Sequence, residues 1–185
     1  AADAGRATDE TSEGNNHRLA VCVRLPGTEP PPQGTVRYVA AGNADAQAPF
    51  TSWETAAATI QAAVDAADEG DTIQVGPGVY DTGGTADPSG EMSRVAVGRS
   101  LRVVAVDGPE ATTILGSGMD GGDPVRCAYV SNAVLSGFTL TGGLAGSGGG
   151  VFCDRGAEIR DCTIAGNASD WGAGAAGAVG DATVD

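Results

Sequence analysis

The chain has 185 residues and carries 10 Arg and no Lys against 24 Asp and Glu, which gives a formal net charge of −14. This acidity argues against nucleic acid and anionic membrane surfaces as partners, because both are bound through basic residues. Only 4% of the residues are aromatic and 30 are Gly, so we expect a narrow interior of Val, Ile and Ala. No apolar run approaches the ~20 residues of a membrane-spanning helix, so no membrane insertion is expected.

Residues 1–34 are predicted to form an N-terminal arm. Its polar start predicts a flexible tail. A weakly alternating stretch, residues 18–25, then predicts one strand, and three prolines that follow predict a stiff spacer. The apolar positions of this predicted assembly strand are Leu19, Val21, Val23 and Leu25. We expect it, or the neighbouring strand 36–39, to pair with an open sheet edge in its own chain or in a second copy.

Two weaker features bear on secretion and on the state of the cysteines. The start, Ala1-Ala2-Asp3, fits a chain that has lost a secretory signal peptide. Four cysteines without CxxC spacing argue against zinc and leave open zero to two disulfides or buried free thiols, of which we favour free thiols. They are Cys22, Cys127, Cys153 and Cys162.

The predicted domain, residues 35–185, starts with strand 36–39 and an amphipathic helix over about residues 52–68. Thr51 and Glu54 have the spacing of a capping box at its start. Apolar residues recur at steps of three and four, which places them on one helix face. They are Trp53, Ala57, Ile60, Val64 and Ala67. The spacing therefore predicts that Trp53 belongs to the core.

A repeat dominates the rest of the chain. Residues 135–142 match residues 159–166 position for position at an offset of 24, in the pattern apolar-x-x-apolar-x-apolar-x-Gly. The same frame fits residues 101–108 upstream, beginning at Leu101, and residues from Val179 to Val184 downstream. The x-x step predicts a bend at Gly137, Asp161 and Asp181, because Gly and Asp tolerate left-handed backbone angles. Residues 128–130 and 151–153 are predicted to be equivalent third strands.

Fixed spacing within each copy and variable spacing between copies is typical of a solenoid, in which equivalent residues stack and the connections bulge outward. Helix, first strand and repeats also resemble secreted right-handed parallel β-helix repeat proteins of the pectin-lyase-like superfamily. The resemblance covers about residues 35–185 and rests on residues 51–67, 70–75, 78–80, 135–140 and 148–151. It implies an all-β fold, a right-handed parallel β-helix capped by the N-terminal helix. Asp185 falls within a fifth copy, so we expect either a longer protein or another element that covers this open end.

Candidate binding residues lie on the predicted outer face. Thr139, Thr163 and Thr183 would form an outward threonine ladder, and Trp171 in a Gly-rich turn would be an exposed contact for carbohydrate or protein. The alternatives are that Thr is simply a good strand residue and that Trp171 is partly buried. Asn167-Ala168-Ser169 matches a glycosylation acceptor.

Candidate metal ligands are acidic residues in Gly-rich loops, which suit Ca²⁺. Asp120 and Asp123 form one such loop, and a second lies at residues 68–71. Neither has EF-hand spacing, and solvated acidic loops are the favoured alternative.

Catalysis has little support in the sequence. The one histidine, His17, lies in the arm, which argues against a nucleophilic triad. Asp161 and Asp181 with Arg160 are expected to form corners rather than a catalytic pair, because neighbouring coils place them only ~4.8 Å apart. We therefore expect a non-catalytic extracellular scaffold, a cell-surface, adhesive or filament-forming protein that self-associates or contacts carbohydrate. The alternative is the N-terminal portion of a polysaccharide lyase or glycoside hydrolase of that superfamily.

Overall fold

The computed structural model describes residues 20–21, 34–171, 175–177 and 183–184, and only the backbone of residues 20–21, 171, 175–177 and 183–184. These residues form eighteen strands and a helix. The elements are β1 (Ala20–Val21), β2 (Val36–Val39), α1 (Ile60–Ala66), β3 (Thr72–Val75), β4 (Gly78–Tyr80), β5 (Thr85–Ala86), β6 (Met92–Val97), β7 (Arg102–Ala105), β8 (Thr112–Leu115), β9 (Arg126–Val130), β10 (Val134–Ser136), β11 (Thr139–Thr141), β12 (Leu144–Ser147), β13 (Val151–Cys153), β14 (Glu158–Arg160), β15 (Thr163–Ile164), β16 (Ala168–Trp171), β17 (Ala175–Gly177) and β18 (Thr183–Val184).

Three sheets carry most of these strands, and the chain visits them in turn. Sheet I has the order β2-β3-β7-β10-β14-β18, sheet II the order β4-β8-β11-β15-β1, and sheet III the order β5-β6-β9-β13-β17. A fourth sheet contains β12 and β16. Neighbouring strands are parallel except at the pairs β1–β15 and β5–β6. The prediction of an all-β fold is confirmed, and the parallel stacking is compatible with a β-helix or solenoid.

The core is a set of apolar side chains in register from strand to strand. In sheet I, Ile73 pairs with Val103, Val103 with Leu135, and Leu135 with Ile159, and all four are fully buried. Sheet II contributes Ile114, Leu140 and Ile164, and sheet III contributes Val95, Ala128 and Val151. Each buried set stabilises the next because apolar surface is removed from water on both sides.

The central repeat is confirmed, and two of its extensions are corrected. Leu135 lies opposite Ile159, and the bends have positive φ, 83° at Gly137 and 50° at Asp161. Upstream, however, Leu135 pairs with Val103 rather than with Leu101. Downstream, Ile159 pairs with Val184 rather than with Val179. The upstream error is two residues, because a strand pattern of period two looks the same after such a shift.

The predicted helix 52–68 is wrong at its start. Helix α1 begins after Thr59, whose hydroxyl accepts a hydrogen bond from the Ala62 N–H at 3.2 Å. Residues before it cannot be helical because Ala57 bridges to β2, with its N–H on the Tyr38 carbonyl and its carbonyl on the Ala40 N–H, each at 2.9 Å. Trp53 is consequently 42% exposed and packs on the Tyr38 ring at 4.7 Å, so its assignment to the core is also wrong.

Candidate functional site

A groove runs along the outside of the coils where the β5–β6 hairpin meets β12, β13 and β16. It consists of two adjoining depressions of about 460 and 360 Å³ that share Glu91, Gly146 and Asp170. Met92, Pro124, Leu144 and Ala145 line one depression, and Ser89, Arg126, Ser147 and Phe152 line the other. Its surface combines an apolar floor with carboxylates, which is a common composition for ligand sites.

One buried guanidinium holds the groove together. Arg126 is 0% exposed and is ion-paired with Asp87 and with Glu91. Its Nε donates to the Gly148 carbonyl at 3.0 Å, and its Nη2 donates to the Ser147 carbonyl at 2.7 Å. These bonds join three chain segments that are distant in sequence. Since its N–H groups are all engaged within the protein, Arg126 positions the groove rather than a ligand.

The loop that carries Glu91 is fixed by a second set of polar contacts. Asp87 accepts hydrogen bonds from the Ser93 hydroxyl at 2.6 Å and from the Ser89 N–H at 2.8 Å. Glu91 Oε1 accepts from the Gly146 N–H at 2.7 Å. The Glu91 side chain nevertheless remains 34% exposed. Its carboxylate is therefore held in place while still facing the groove.

The groove also has an aromatic wall. The Phe152 ring stacks on Tyr129 at 5.9 Å with an interplanar angle of 6°. The guanidinium carbon of Arg126 lies 5.0 Å from the Phe152 ring centroid, which is cation–π distance. The Tyr129 hydroxyl donates to Asp154 Oδ2 at 2.9 Å. A hydrogen bond from the Arg155 N–H and then this Tyr129 bond lower the pKa of Asp154.

The predicted threonine ladder exists with one different member. Thr139 lies between Thr113 and Thr163 in sheet II, whereas Thr183 pairs with Glu158 in sheet I. Thr183 is therefore not part of it. The Thr139 hydroxyl already donates to the Pro109 carbonyl at 2.7 Å, so it secures a neighbouring turn.

Trp171, Asp120 and Asp123 are the other predicted site residues. The backbone of Trp171 ends β16 opposite Ser147, next to groove residue Asp170, while its side chain lies outside the described part of the chain. In the loop after β8, Asp123 is exposed and Asp120 accepts a weak bond from the Gly122 N–H at 3.4 Å. Among the described residues, no three His, Cys, Asp or Glu side chains are grouped to hold a metal ion.

The second acidic loop contains a structural ion pair. Asp71 is buried and accepts from Arg37 Nε at 2.9 Å and from the Thr35 N–H at 2.7 Å. Burial alone would raise the pKa of Asp71, but hydrogen bonds from the Asp68 and Thr35 N–H groups and from Arg37 together lower it. At the corner, Arg160 is ion-paired with Glu158, and Asp181 lies outside the described residues.

The N-terminal strand meets a sheet edge. Ala20 and Val21 pair antiparallel with Ile164 and Thr163, at the end of sheet II. Leu19, Val23 and Leu25 lie outside the described residues. The predicted pairing with a sheet edge is thus present for two residues within the same chain. The neighbouring strand β2 pairs parallel with β3 and forms one end of sheet I.

Several buried polar groups complete the interior. Cys127 and Cys153 are free and buried, as favoured from the sequence. Cys162 is also buried, and Cys22 lies outside the described residues. Burial raises the pKa of Cys127 to about 12 and that of Cys153 to about 11. Asn167 donates to the Leu140 carbonyl at 3.0 Å and accepts from the Gly143 N–H at 2.9 Å, so its amide links two coils instead of presenting a free glycosylation acceptor.

Sequence reasoning missed the groove. In the ion-pair network of the groove, Asp87 and Glu91 lie 39 and 35 residues before Arg126, and these separations follow no period. One signal was available: Arg126 lies between Val125 and Cys127 in an apolar strand, and a charge at such a position requires a buried partner.

Comparison with protein-family models, curated proteins and solved structures finds no match to this sequence. In the part of the chain that the structure describes, no helix combines the length and apolar character needed to cross a membrane.

Proposed function

We propose that this chain is a right-handed parallel β-helix of the pectin-lyase-like type that acts as a non-catalytic scaffold outside the cell or on its surface. In this role it is an adhesive or filament-forming element that associates with copies of itself or contacts carbohydrate. Right-handedness is supported by the parallel strands of sheets I to III, because crossover connections between parallel strands are right-handed in about 98% of cases.

The observation that carries self-association is the β1–β15 pair at the end of sheet II. An edge strand offers unpaired N–H and C=O groups to any strand that reaches it. The same pairing made between two copies, as in domain swapping, joins them head to tail, and such contacts propagate unless they close into a ring.

Light scattering and electron microscopy over a concentration series test this proposal. We expect concentration-dependent assemblies from the intact chain and monomers from the Val21→Pro variant, because proline removes an N–H from the paired strand. Deletion of residues 1–17, which leaves β1 in place, is the matched control and should still assemble. Monomers at every concentration for the intact chain would contradict self-association.

A polysaccharide lyase or hydrolase is the second candidate, favoured by the carboxylates of Glu91 and Asp170 in one groove. Glycosidases cleave with two carboxyl groups that flank the scissile bond. Incubation with polygalacturonate and neutral glycans, with and without Ca²⁺, followed by assays for unsaturated products and new reducing ends, tests it. A Glu91→Gln variant with unchanged product formation would argue against the groove as the catalytic site.

A further inference from the structure

We infer that the groove binds an amine-bearing glycan, for which a glucosamine oligomer is the simplest probe. This inference rests on the carbohydrate contact in the proposed function and names the class of sugar. It is carried by the combination of charge, apolar surface and fixed carboxylate geometry in the groove.

The negative charge of the groove argues against acidic glycans as ligands. Among the described residues that line the two depressions, Arg126 is the sole cation, while Glu91 and Asp170 are carboxylates. Arg126 is also paired with the buried Asp87, so one positive charge faces three negative ones. The whole chain adds a net charge of −14. An acidic ligand is therefore repelled, and a protonated amine is attracted.

The apolar parts of the groove suit a sugar ring. Met92 is 44% exposed and lies beside Leu144 and Pro124 in one depression. Phe152 lines the other depression. A pyranose ring presents a C–H face that can cover such surfaces, while its equatorial hydroxyls and amines point to the sides.

The acceptors for an ammonium group are held before a ligand arrives. Glu91 is fixed by the Gly146 N–H and by Arg126, yet each carboxylate oxygen accepts more than one hydrogen bond. Asp170 is exposed on β16 and lines both depressions. An ammonium group between these two residues gains charge-assisted hydrogen bonds without first ordering Glu91.

A cationic peptide shares this charge but uses less of the groove. Beside the apolar surfaces, the second depression offers the hydroxyl group of Ser147, which suits the hydroxyl-rich rim of a sugar, whereas the Ser89 hydroxyl already donates to Asp87. We therefore favour a glycan, and an oligolysine serves as the competing ligand in the test.

The test is isothermal titration calorimetry of the intact chain at about pH 5.5, where Asp and Glu carboxylates are ionised. The probes are oligomers of equal length built from glucosamine, N-acetylglucosamine, galacturonate and lysine. We expect the glucosamine oligomer to bind at least tenfold more tightly than the acetylated and acidic ones. The Asp170→Asn variant should bind it about tenfold more weakly, since about one charge-assisted hydrogen bond is lost. The matched control is Asp107→Asn, an exposed carboxylate outside the groove, and it should bind like the parent chain.

Each other outcome overturns the inference. Equal affinity for aminated and acetylated oligomers, or an unchanged Asp170→Asn variant, removes the role of the groove charge. Equal or tighter binding of oligolysine assigns the groove to a cationic peptide. Light scattering on the same samples keeps the two proposals separate: assembly that needs β1 together with no glycan binding refutes only this inference, whereas monomers throughout refute the scaffold.

Discussion

Two regions of this protein are held together by different physics. The inner faces of sheets I to III stack Val, Ile and Leu side chains in register from strand to strand. The groove is held by Arg126, which joins the β5–β6 hairpin to the turn before β13 through ion pairs and carbonyl contacts. The core is apolar and repeats from strand to strand, whereas the groove is charged and does not follow the repeat.

The difference shows how a stack of parallel strands acquires a specific surface. Apolar stacking fixes the height and register of each coil but is nearly indifferent to what its outward loops carry. A buried ion-pair network contributes little net stability to a fold. Removal of one partner nevertheless lowers the free energy of unfolding strongly, because the other charge stays buried and unpaired. The core should therefore respond to lost volume or added charge, and the groove should respond to broken pairing.

The largest effect is expected for Phe138→Asp. Phe138 is fully buried between strands, so a carboxylate there would lose its hydration without a partner. We expect a loss of more than about 4 kcal/mol in the free energy of unfolding, measured by urea denaturation. The Phe138→Leu control should lose only about 1 kcal/mol. Similar losses for both variants would mean that a carboxylate at position 138 keeps its hydration, which would contradict the burial of this position.

The next effect is expected for Arg126→Met. Removal of the guanidinium leaves Asp87 buried with an uncompensated charge, which should cost about 3–5 kcal/mol in urea denaturation. In the double variant Arg126→Met, Asp87→Asn, much of this loss should be recovered because the buried charge is gone. A double variant that is no more stable than the single variant would show that the uncompensated charge of Asp87 is not the cause of the loss.

A smaller and pH-dependent effect is expected for Asp71→Asn. The lowered pKa of Asp71 means that its contribution to stability is complete above the unfolded value of about 3.9 and is lost as the pH falls through the still lower folded value. At pH near 7 we expect a loss of about 1–3 kcal/mol, shrinking toward zero in acid. Urea denaturation of both chains across this range measures it, with Asp107→Asn as a control for loss of a surface carboxylate. A difference that stays constant with pH would contradict the ion pair with Arg37.

The smallest effect is expected for Gly137→Ala at the corner. Its φ of 83° is costly for Ala, and a Cβ there would lie 3.0 Å from the Ala105 carbonyl oxygen. We expect a loss of about 1–2 kcal/mol in thermal or urea denaturation. The Gly98→Ala control has open space around the new methyl group and should be close to neutral. Equal effects at both positions would argue against the strained corner.

The periodic region is also the one that the sequence predicts. The match of residues 135–142 to residues 159–166 indicated the register of β10 with β14 and of β11 with β15. It failed upstream, at Leu101, because alternation alone cannot distinguish a shift of two residues. A second pattern, the helical spacing of apolar residues, failed at residues 52–58, because Ala57 pairs with β2 there. Local patterns carry no information on such long-range partners.

The groove lay beyond sequence reasoning for the same reason. Asp87, Glu91 and Arg126 meet only after the coils have stacked. Asp87 and Glu91 alone resemble ordinary surface charges, and the position of Arg126 in an apolar strand indicates a buried partner without saying which residue it is. The threonine ladder was predicted at Thr139 and Thr163 because both lie in the matched repeat, and it failed at Thr183, where the repeat frame itself was displaced.

The central claim is that neighbouring copies of the repeat lie parallel and in register, and scalar couplings across hydrogen bonds in NMR test it most directly. The structure places the Thr163 N–H on the Phe138 carbonyl at 2.8 Å and the Ala165 N–H on the Leu140 carbonyl at 3.2 Å. We predict couplings between the ¹⁵N of Thr163 and the carbonyl carbon of Phe138, and between Ala165 and Leu140. In an antiparallel pair, directly opposed residues would exchange both hydrogen bonds, and couplings of that reciprocal kind between these segments would contradict the claim.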